Sequence, residues 1–97
     1  MITKTILNTI KTILFKKLDQ KKDKAFIFGS WAIGNNRKFS DIDIGIESTD
    51  PKLNNIIMNL KEDFEKSDLP YMVDLVNFKD TTKQFKQVAK QKTISLN

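Results

Sequence analysis

Two aspartates, Asp41 and Asp43, stand one residue apart in the motif Asp-Ile-Asp, ten residues after the pair Gly29-Ser30. On a β-strand, carboxylates at this spacing lie on the same face and are about 6.5 Å apart along the backbone. They could share one divalent ion or flank a pair of ions. An isolated Asp-x-Asp is commonly solvated surface charge, because two-residue patterns recur by chance. The joint arrangement of the two motifs is what favours a functional site.

The segment before the aspartates predicts a strand, a tight corner and a short helix. Residues 25–28 form a compact aromatic and β-branched run, which is typical of a buried strand. Gly29 permits a sharp turn and Ser30 is a good helix N-cap, so we expect a short helix over residues 31–33. The sequence Gly-Asn-Asn at residues 34–36 is expected to end it. The N–H groups of such a corner, together with the Ser30 hydroxyl, could bind a phosphate.

The run over residues 40–47 alternates between apolar and polar or small side chains, which predicts a half-buried strand. Its two faces are expected to carry the following residues: Ile42, Ile44 and Ile46 on one, and Asp41, Asp43, Gly45 and Glu47 on the other. A third strand is predicted over residues 71–78, where one face carries Met72, Asp74, Val76 and Phe78.

Asp74 is the charged member of an otherwise apolar row, which is costly unless the carboxylate is paired or bound to a metal. The plain alternative is an edge-strand aspartate that contacts a lysine. With Asp41 and Asp43 also present, we favour a role for Asp74 in the same site.

The remaining segments predict helices that pack against the sheet. Apolar residues recur at helical spacing over residues 2–18 and 53–64, and the second of these helices is expected to start with Asp50 as N-cap and Pro51 at its first position. A last helix follows residue 82, with Phe85, Val88 and Ala89 facing inward, and residues 93–97 are expected to be a tail. We therefore predict an α/β fold with a small mixed β-sheet flanked by helices, in one domain over residues 1–97, with the strand order undetermined.

The composition limits the chemistry. The chain has no cysteine and no histidine, so disulfides, Cys/His zinc sites and a histidine base are excluded. The net charge of +5 suits a nucleoside triphosphate, RNA or an acidic protein partner equally. Arg37 and Lys38 are candidate triphosphate contacts, with solvated loop charge as the alternative. No apolar run is long enough to cross a membrane, and we expect a cytoplasmic protein.

The pattern Gly29-Ser30, ten residues, then Asp41-Ile-Asp43 resembles the signature of the nucleotidyltransferases of the DNA polymerase β superfamily. The small size is most similar to the minimal nucleotidyltransferases, or MNT proteins, which are encoded beside HEPN-domain proteins as antitoxins. One departure is visible, since many relatives carry basic residues where this chain has Trp31 and Ile33. Basic phosphate contacts from those two positions are therefore not expected.

The resemblance implies a two-metal nucleotidyltransferase. Asp41 and Asp43 would bind two Mg²⁺ ions, or Mn²⁺, and Asp74 would bind the ion on the side of the attacking hydroxyl. Gly29 and Ser30 would hold the terminal phosphates of ATP.

The acceptor implied by the same resemblance is a tyrosine of a HEPN-family toxin, which would be neutralised by transfer of AMP. Two alternatives remain: a binding module that inhibits a HEPN partner by occupancy, and a terminal nucleotidyltransferase acting on RNA or a small molecule. A nucleic-acid partner is the less favoured of these.

Overall fold

Four strands form one mixed sheet in the computed structural model, which describes residues 2–34 and 41–97. The strands are β1 (Lys24–Phe28), β2 (Ile42–Glu47), β3 (Val73–Asn77) and β4 (Ile94–Ser95). Their order across the sheet is β3-β2-β1-β4. Strand β1 is antiparallel to both β2 and β4, whereas β2 and β3 are parallel. The predicted α/β class with a small mixed sheet is confirmed.

Within residues 2–34 and 41–97, four helices and one 3₁₀ turn connect and cover these strands. They are α1 (Lys4–Leu14), α2 (Ser30–Ile33), α3 (Leu53–Glu65), the 3₁₀ turn (Phe78–Asp80) and α4 (Lys83–Ala89). Because parallel strands cannot be joined by a tight hairpin, a helical crossover must link β2 to β3, and α3 supplies it. Within the described residues, none of the helices has the length and apolar character needed to span a bilayer.

The main core lies between one face of the sheet and helices α1 and α3. The three alternating isoleucines of β2 are fully buried there, as predicted: Ile42, Ile44 and Ile46. Helix α1 contributes Ile10 and Leu14, and α3 contributes Leu60, all with no exposed surface. The period of two in the strand and the helical period in α1 and α3 therefore place their apolar residues on one shared interface.

The opposite face of the sheet carries an aromatic cluster formed by Phe26, Phe28 and Phe78. The rings of Phe26 and Phe78 meet edge to face with centroids 4.7 Å apart, and Phe28 meets Phe78 at 5.3 Å. Such edge-to-face contacts are the favoured arrangement for aromatic pairs. The cluster does not cover the end of this face where β1 ends and β2 and β3 begin.

Several predicted boundaries are wrong by a few residues. Helix α1 starts at Lys4, where the Thr3 side chain accepts the N–H of Ile6, and ends well before residue 18. Helix α3 starts at Leu53, because Asp50 instead closes a turn in which its carboxylate accepts the N–H of Lys52 at 2.8 Å.

The third strand is also shorter than predicted, because it ends at Asn77. The Asn77 side chain accepts the N–H of Lys79 at 3.1 Å and so starts the 3₁₀ turn. Phe78 consequently leaves the strand and enters the aromatic cluster from that turn.

The predicted tail at residues 93–97 is wrong, since this segment forms the edge strand β4 on β1. Leu96 is fully buried, and its N–H donates to the carbonyl of Ala25 at 2.9 Å. The side chain of Asn97 accepts the N–H of Ala25 at 2.8 Å and donates to the carbonyls of Gln20 and Asp23. These hydrogen bonds fix the segment before β1 as well as β4 itself.

Helix α4 faces the sheet differently from the prediction. Ala89 is buried, but Phe85 is 42% exposed and Val88 is 68% exposed. A helix of seven residues has room for only one packed face, and here Ala89 and the inner edge of Phe85 occupy it.

Gly45 has a steric role in this architecture, which gives a first prediction. A Cβ added there would lie 2.6 Å from the rings of both Phe26 and Phe78. We expect Gly45→Ala to lower the free energy of unfolding by about 1 to 3 kcal/mol, the usual cost of overpacking, as measured by urea denaturation. Combined with Phe26→Leu, the loss should be smaller than the sum of the two single losses, because the shorter side chain makes room. Simple additivity would contradict the steric explanation.

Candidate active site

Three acidic residues lie at the edge of the sheet where β1 ends and β2 and β3 begin. Asp43 is paired with Phe28 of β1 on one side and with Asp74 of β3 on the other. Asp41 stands directly before β2, two residues ahead of Asp43. Since paired residues of parallel strands point to the same face and neighbouring strands are about 4.8 Å apart, Asp43 and Asp74 project side by side. The structure therefore brings together the three acidic residues predicted from the sequence.

The three carboxylates differ in exposure. Asp41 and Asp74 are exposed to solvent, whereas Asp43 is half-buried between them. Burial raises the pKa of the Asp43 carboxyl above its usual range, and the negative charges of Asp74 and then Asp41 raise it further. Both effects disfavour the ionised form, so a cation placed at this edge would relieve them.

Gly29 allows the Asp43 carboxylate to lie against the backbone of the corner. The glycine has φ 73° and ψ −150°, a region that is essentially restricted to glycine. A Cβ added at this position would lie 2.5 Å from Oδ2 of Asp43. The glycine of the Gly-Ser motif therefore serves both the turn and the position of a carboxylate on another strand.

Ser30 is the first residue of α2, which corrects its predicted role as N-cap. Gly29 holds the N-cap position, and no side chain caps the helix. The end of α2 is as predicted, because Gly34 is left-handed with φ 92° and its N–H donates to the carbonyl of Ser30 at 2.9 Å. The first amide groups of a helix point away from it along the axis, so α2 directs its amino end and the partly exposed Ser30 to the carboxylate edge.

Trp31 has a structural role that the sequence alone did not indicate. Its side chain is buried in the main core, and its ring meets that of Tyr71 edge to face with centroids 4.9 Å apart. Tyr71 precedes β3, and the neighbouring Met72 accepts the N–H of Ile42 at 2.9 Å. Trp31 thus links the Gly-Ser corner to the segments that carry Asp74 and the two β2 aspartates. Only its apolar character, beside a predicted polar site, could have signalled this.

Two of the predicted site residues cannot be placed. Arg37 and Lys38 lie outside the described residues, as do Asn35 and Asn36 of the predicted helix end. In the part of the chain that the structure describes, no three acidic side chains already converge as a preformed metal-binding cluster. The three residues share one edge of the sheet without their side chains forming such a group.

Several lysines gather at the other end of the sheet. Lys22, Lys24, Lys79 and Lys86 line a pocket of about 370 Å³ there, close to the register pair of Lys24 and Glu47. Glu47 is itself paired with Lys90 at 2.9 Å. These five lysines therefore place their charge at the end of the sheet opposite the three acidic residues.

Comparison with known proteins places this geometry in context. A family model described as "Polymerase beta, Nucleotidyltransferase" matches residues 8–96. A Haemophilus influenzae protein named probable protein adenylyltransferase MntA is 34% identical over 85 residues, which cover 88% of this chain and 73% of that protein.

Solved structures with the same fold include chains of toxin–antitoxin complexes. A chain in the crystal structure of a toxin–antitoxin with AMP-PNP superposes with a TM-score of 0.75 at 26% identity, covering 94% of this chain and 72% of the other. A chain in the Shewanella oneidensis complex of a tri-AMPylated HEPN toxin with an MNT antitoxin shares the fold with a TM-score of 0.62 at 22% identity, covering 94% and 71%.

The contact between Gly29 and Asp43 gives a second prediction. Gly29→Ala should lower the free energy of unfolding by about 1 to 3 kcal/mol, because alanine is strained in this backbone conformation. The steric contact between the new Cβ and Asp43 should lower it further. In an Asp43→Ala background the steric part should vanish and only the backbone part remain. Urea denaturation of the four proteins in EDTA measures both parts. Equal losses in the two backgrounds would show that Asp43 is not in contact with this position.

The raised pKa of Asp43 gives a third prediction. A carboxyl whose pKa is higher in the folded than in the unfolded protein binds its proton more tightly when folded, so its ionisation destabilises the fold. Asp43→Asn should therefore raise the midpoint of thermal unfolding at pH 7 to 8 in EDTA. The gain should shrink as the pH falls through the raised pKa, and disappear below the unfolded value of about 3.9.

The control for this measurement is Asp68→Asn, which replaces an exposed aspartate in the loop before β3. It should not reproduce the stabilisation. A gain for Asp43→Asn that persisted unchanged at pH 3 would rule out ionisation as its cause.

Proposed function

Because this chain belongs to the polymerase β family of nucleotidyltransferases, we propose that it transfers AMP from ATP to a tyrosine hydroxyl of a HEPN-family toxin and so acts as the antitoxin. In this reaction the tyrosine oxygen bonds to the α-phosphorus of ATP, the bond from that phosphorus to the oxygen bridging to the β-phosphate breaks, pyrophosphate leaves, and the hydroxyl proton passes to water. The whole of residues 1–97 is proposed to act as one nucleotidyltransferase domain.

The observation that carries this proposal is the register between Asp43 and Asp74 beside Gly29. Because of this register, Asp43 and Asp74 lie side by side on neighbouring strands, with Asp41 two residues before Asp43. The amino end of α2 begins at the adjacent Gly29. A group of oxygen ligands beside a phosphate-binding corner is what transfer of a nucleoside monophosphate requires.

The donor set fits Mg²⁺, with Mn²⁺ as a substitute, because all three side chains offer hard carboxylate oxygens. We propose that Asp41 and Asp43 hold two ions and that Asp74 holds the one next to the attacking hydroxyl. Bound there, the ions would supply charge neutralisation for the triphosphate and a lower pKa for the attacking hydroxyl.

The protein's own residues orient the nucleotide. The backbone at Gly29 and the hydroxyl of Ser30 are proposed to hold the terminal phosphates, where the amino end of α2 favours negative charge. Arg37 and Lys38 remain proposed triphosphate contacts. With the phosphates fixed at the corner, the α-phosphorus would lie over the carboxylate edge and face an incoming hydroxyl.

A protein acceptor is supported by the relatives. The similar Haemophilus influenzae protein is named a protein adenylyltransferase, and the similar solved structures are toxin–antitoxin complexes. We expect the partner of this chain to be a HEPN-domain protein encoded by the adjacent gene, as in MNT/HEPN pairs. Inhibition of that partner by occupancy alone is the competing possibility, and the experiment below separates the two.

The test is co-expression of this chain with the adjacent HEPN-domain protein, followed by intact-mass spectrometry of the partner. With the wild-type chain, the partner should carry one or more AMP units on a tyrosine. Asp41→Asn/Asp43→Asn should reduce the modified fraction below detection, because the metal-binding oxygens are lost while the fold is retained. Circular dichroism checks the fold of the variant.

Toxicity of the partner in the same cells decides the biological role. The double variant should leave the partner unmodified and toxic. A double variant that neutralised the partner fully would show that inhibition works by occupancy, and the catalytic role would have to be abandoned.

A further inference from the structure

Five large apolar side chains are exposed among the described residues, and four of them lie on segments next to the candidate active site or beside Gly29. The four are Ile33, Met72, Phe85 and Val88, whereas the fifth, Met58, lies on α3. We propose that Ile33, Phe85 and Val88, together named the α2/α4 surface, form the docking site for the acceptor protein. This inference rests on the proposed function.

The α2/α4 surface is continuous with the Gly-Ser corner. Its three side chains line a shallow pocket of about 190 Å³, whose other lining residues are Phe28, Gly29 and Ala89. Ile33 ends α2, which starts at Ser30, and Phe85 and Val88 come from α4. Because Gly29 belongs both to this pocket and to the contact with Asp43, the surface adjoins the carboxylate edge.

The surface is held in place by the aromatic cluster behind it. The ring of Phe85 meets Phe28 edge to face at 5.8 Å and Phe78 at 5.9 Å, so one side is packed while the other is exposed. Phe28 is in turn the register partner of Asp43. A side chain that is already immobilised loses little conformational entropy when a partner covers it.

The lining chemistry favours a protein as the occupant. All six lining residues are apolar or glycine, so a partner seated here would be held by apolar contact. The pocket is smaller than the roughly 300 to 1,000 Å³ typical of small-molecule sites, so it suits one inserted side chain better than a nucleotide base. An RNA backbone would instead be attracted to the lysines at the other end of the sheet.

The proposed reaction also requires the acceptor protein to contact this chain near Asp41 and Asp43. A tyrosine hydroxyl can reach Asp41 and Asp43 only if the acceptor protein approaches the surface around them. The α2/α4 surface adjoins those carboxylates and would be covered by such a partner. Burial of Ile33, Phe85 and Val88 would then stabilise the complex through the removal of apolar surface from water.

The test compares Val88 with Met58, which are matched in exposure at 68% and 67%. Each is replaced by Glu and, separately, by Lys, and binding to the adjacent HEPN-domain protein is measured by biolayer interferometry. Both Val88→Glu and Val88→Lys should weaken binding by about tenfold or more, the effect expected at an interface hot spot. Met58→Glu and Met58→Lys should bind like the wild type.

Three results would overturn the proposal. The first is weakening by only one sign of charge at Val88, which would indicate electrostatics rather than apolar contact. The second is an equal loss in the Met58 variants, which would place the interface on α3. The third is a loss of ATP·Mg²⁺ affinity in the Val88 variants without partner, measured by calorimetry, which would make the surface part of the nucleotide site.

The same proteins separate this inference from the proposed function. If the Val88 variants lose the partner while the wild type binds it but transfers no AMP, the docking site stands and the enzymatic function fails. If the wild type transfers AMP and the Val88 variants bind and transfer equally well, the function stands and the docking site fails.

Discussion

The contact between the Asp43 carboxylate and the backbone of Gly29 is the constraint on which the rest of this structure depends. It joins the end of β1 to the start of β2, and it holds a half-buried charge between two other carboxylates. A carboxylate in this position weakens the fold when it is ionised, because partial burial and the charges of Asp74 and Asp41 both disfavour its negative charge. The main core and the aromatic cluster must supply the stability that keeps Asp43 in place.

The face of the sheet opposite the main core carries both apolar and acidic side chains. Over the middle of β1 and β2 this face is apolar, and Gly45 lies beneath the rings of Phe26 and Phe78. At the start of β2 and β3 the same face is acidic, because Asp43 and Asp74 are in register there. The change from apolar to acidic occurs within β2, between Gly45 and Asp43, which are only two residues apart. Proximity of the aromatic rings to Asp43 is therefore consistent with the burial that raises its pKa.

Local pattern was enough to predict most of the elements, including the strands that carry Asp43 and Asp74. Alternation identified the buried side of β2, and helical spacing identified α1 and α3, because one period fixes which residues share a face. The register of Asp43 with Asp74 could not be predicted, since it depends on contacts between residues far apart in sequence. The strand β4 was missed for the same reason: two residues carry too little pattern, and their pairing depends on Ala25, Leu96 and Asn97.

Helix α4 shows how a domain this small assigns several tasks to one short element. Lys86 lines the basic pocket at one end of the sheet, and Ala89 closes the aromatic cluster. Phe85 belongs to both the cluster and the exposed surface near Gly29. Substitution of the buried Ala89 would therefore act through the fold, because added volume must displace neighbouring rings. Val88 is 68% exposed, so its substitution removes little internal contact and should change the stability of the domain much less than substitution of Ala89.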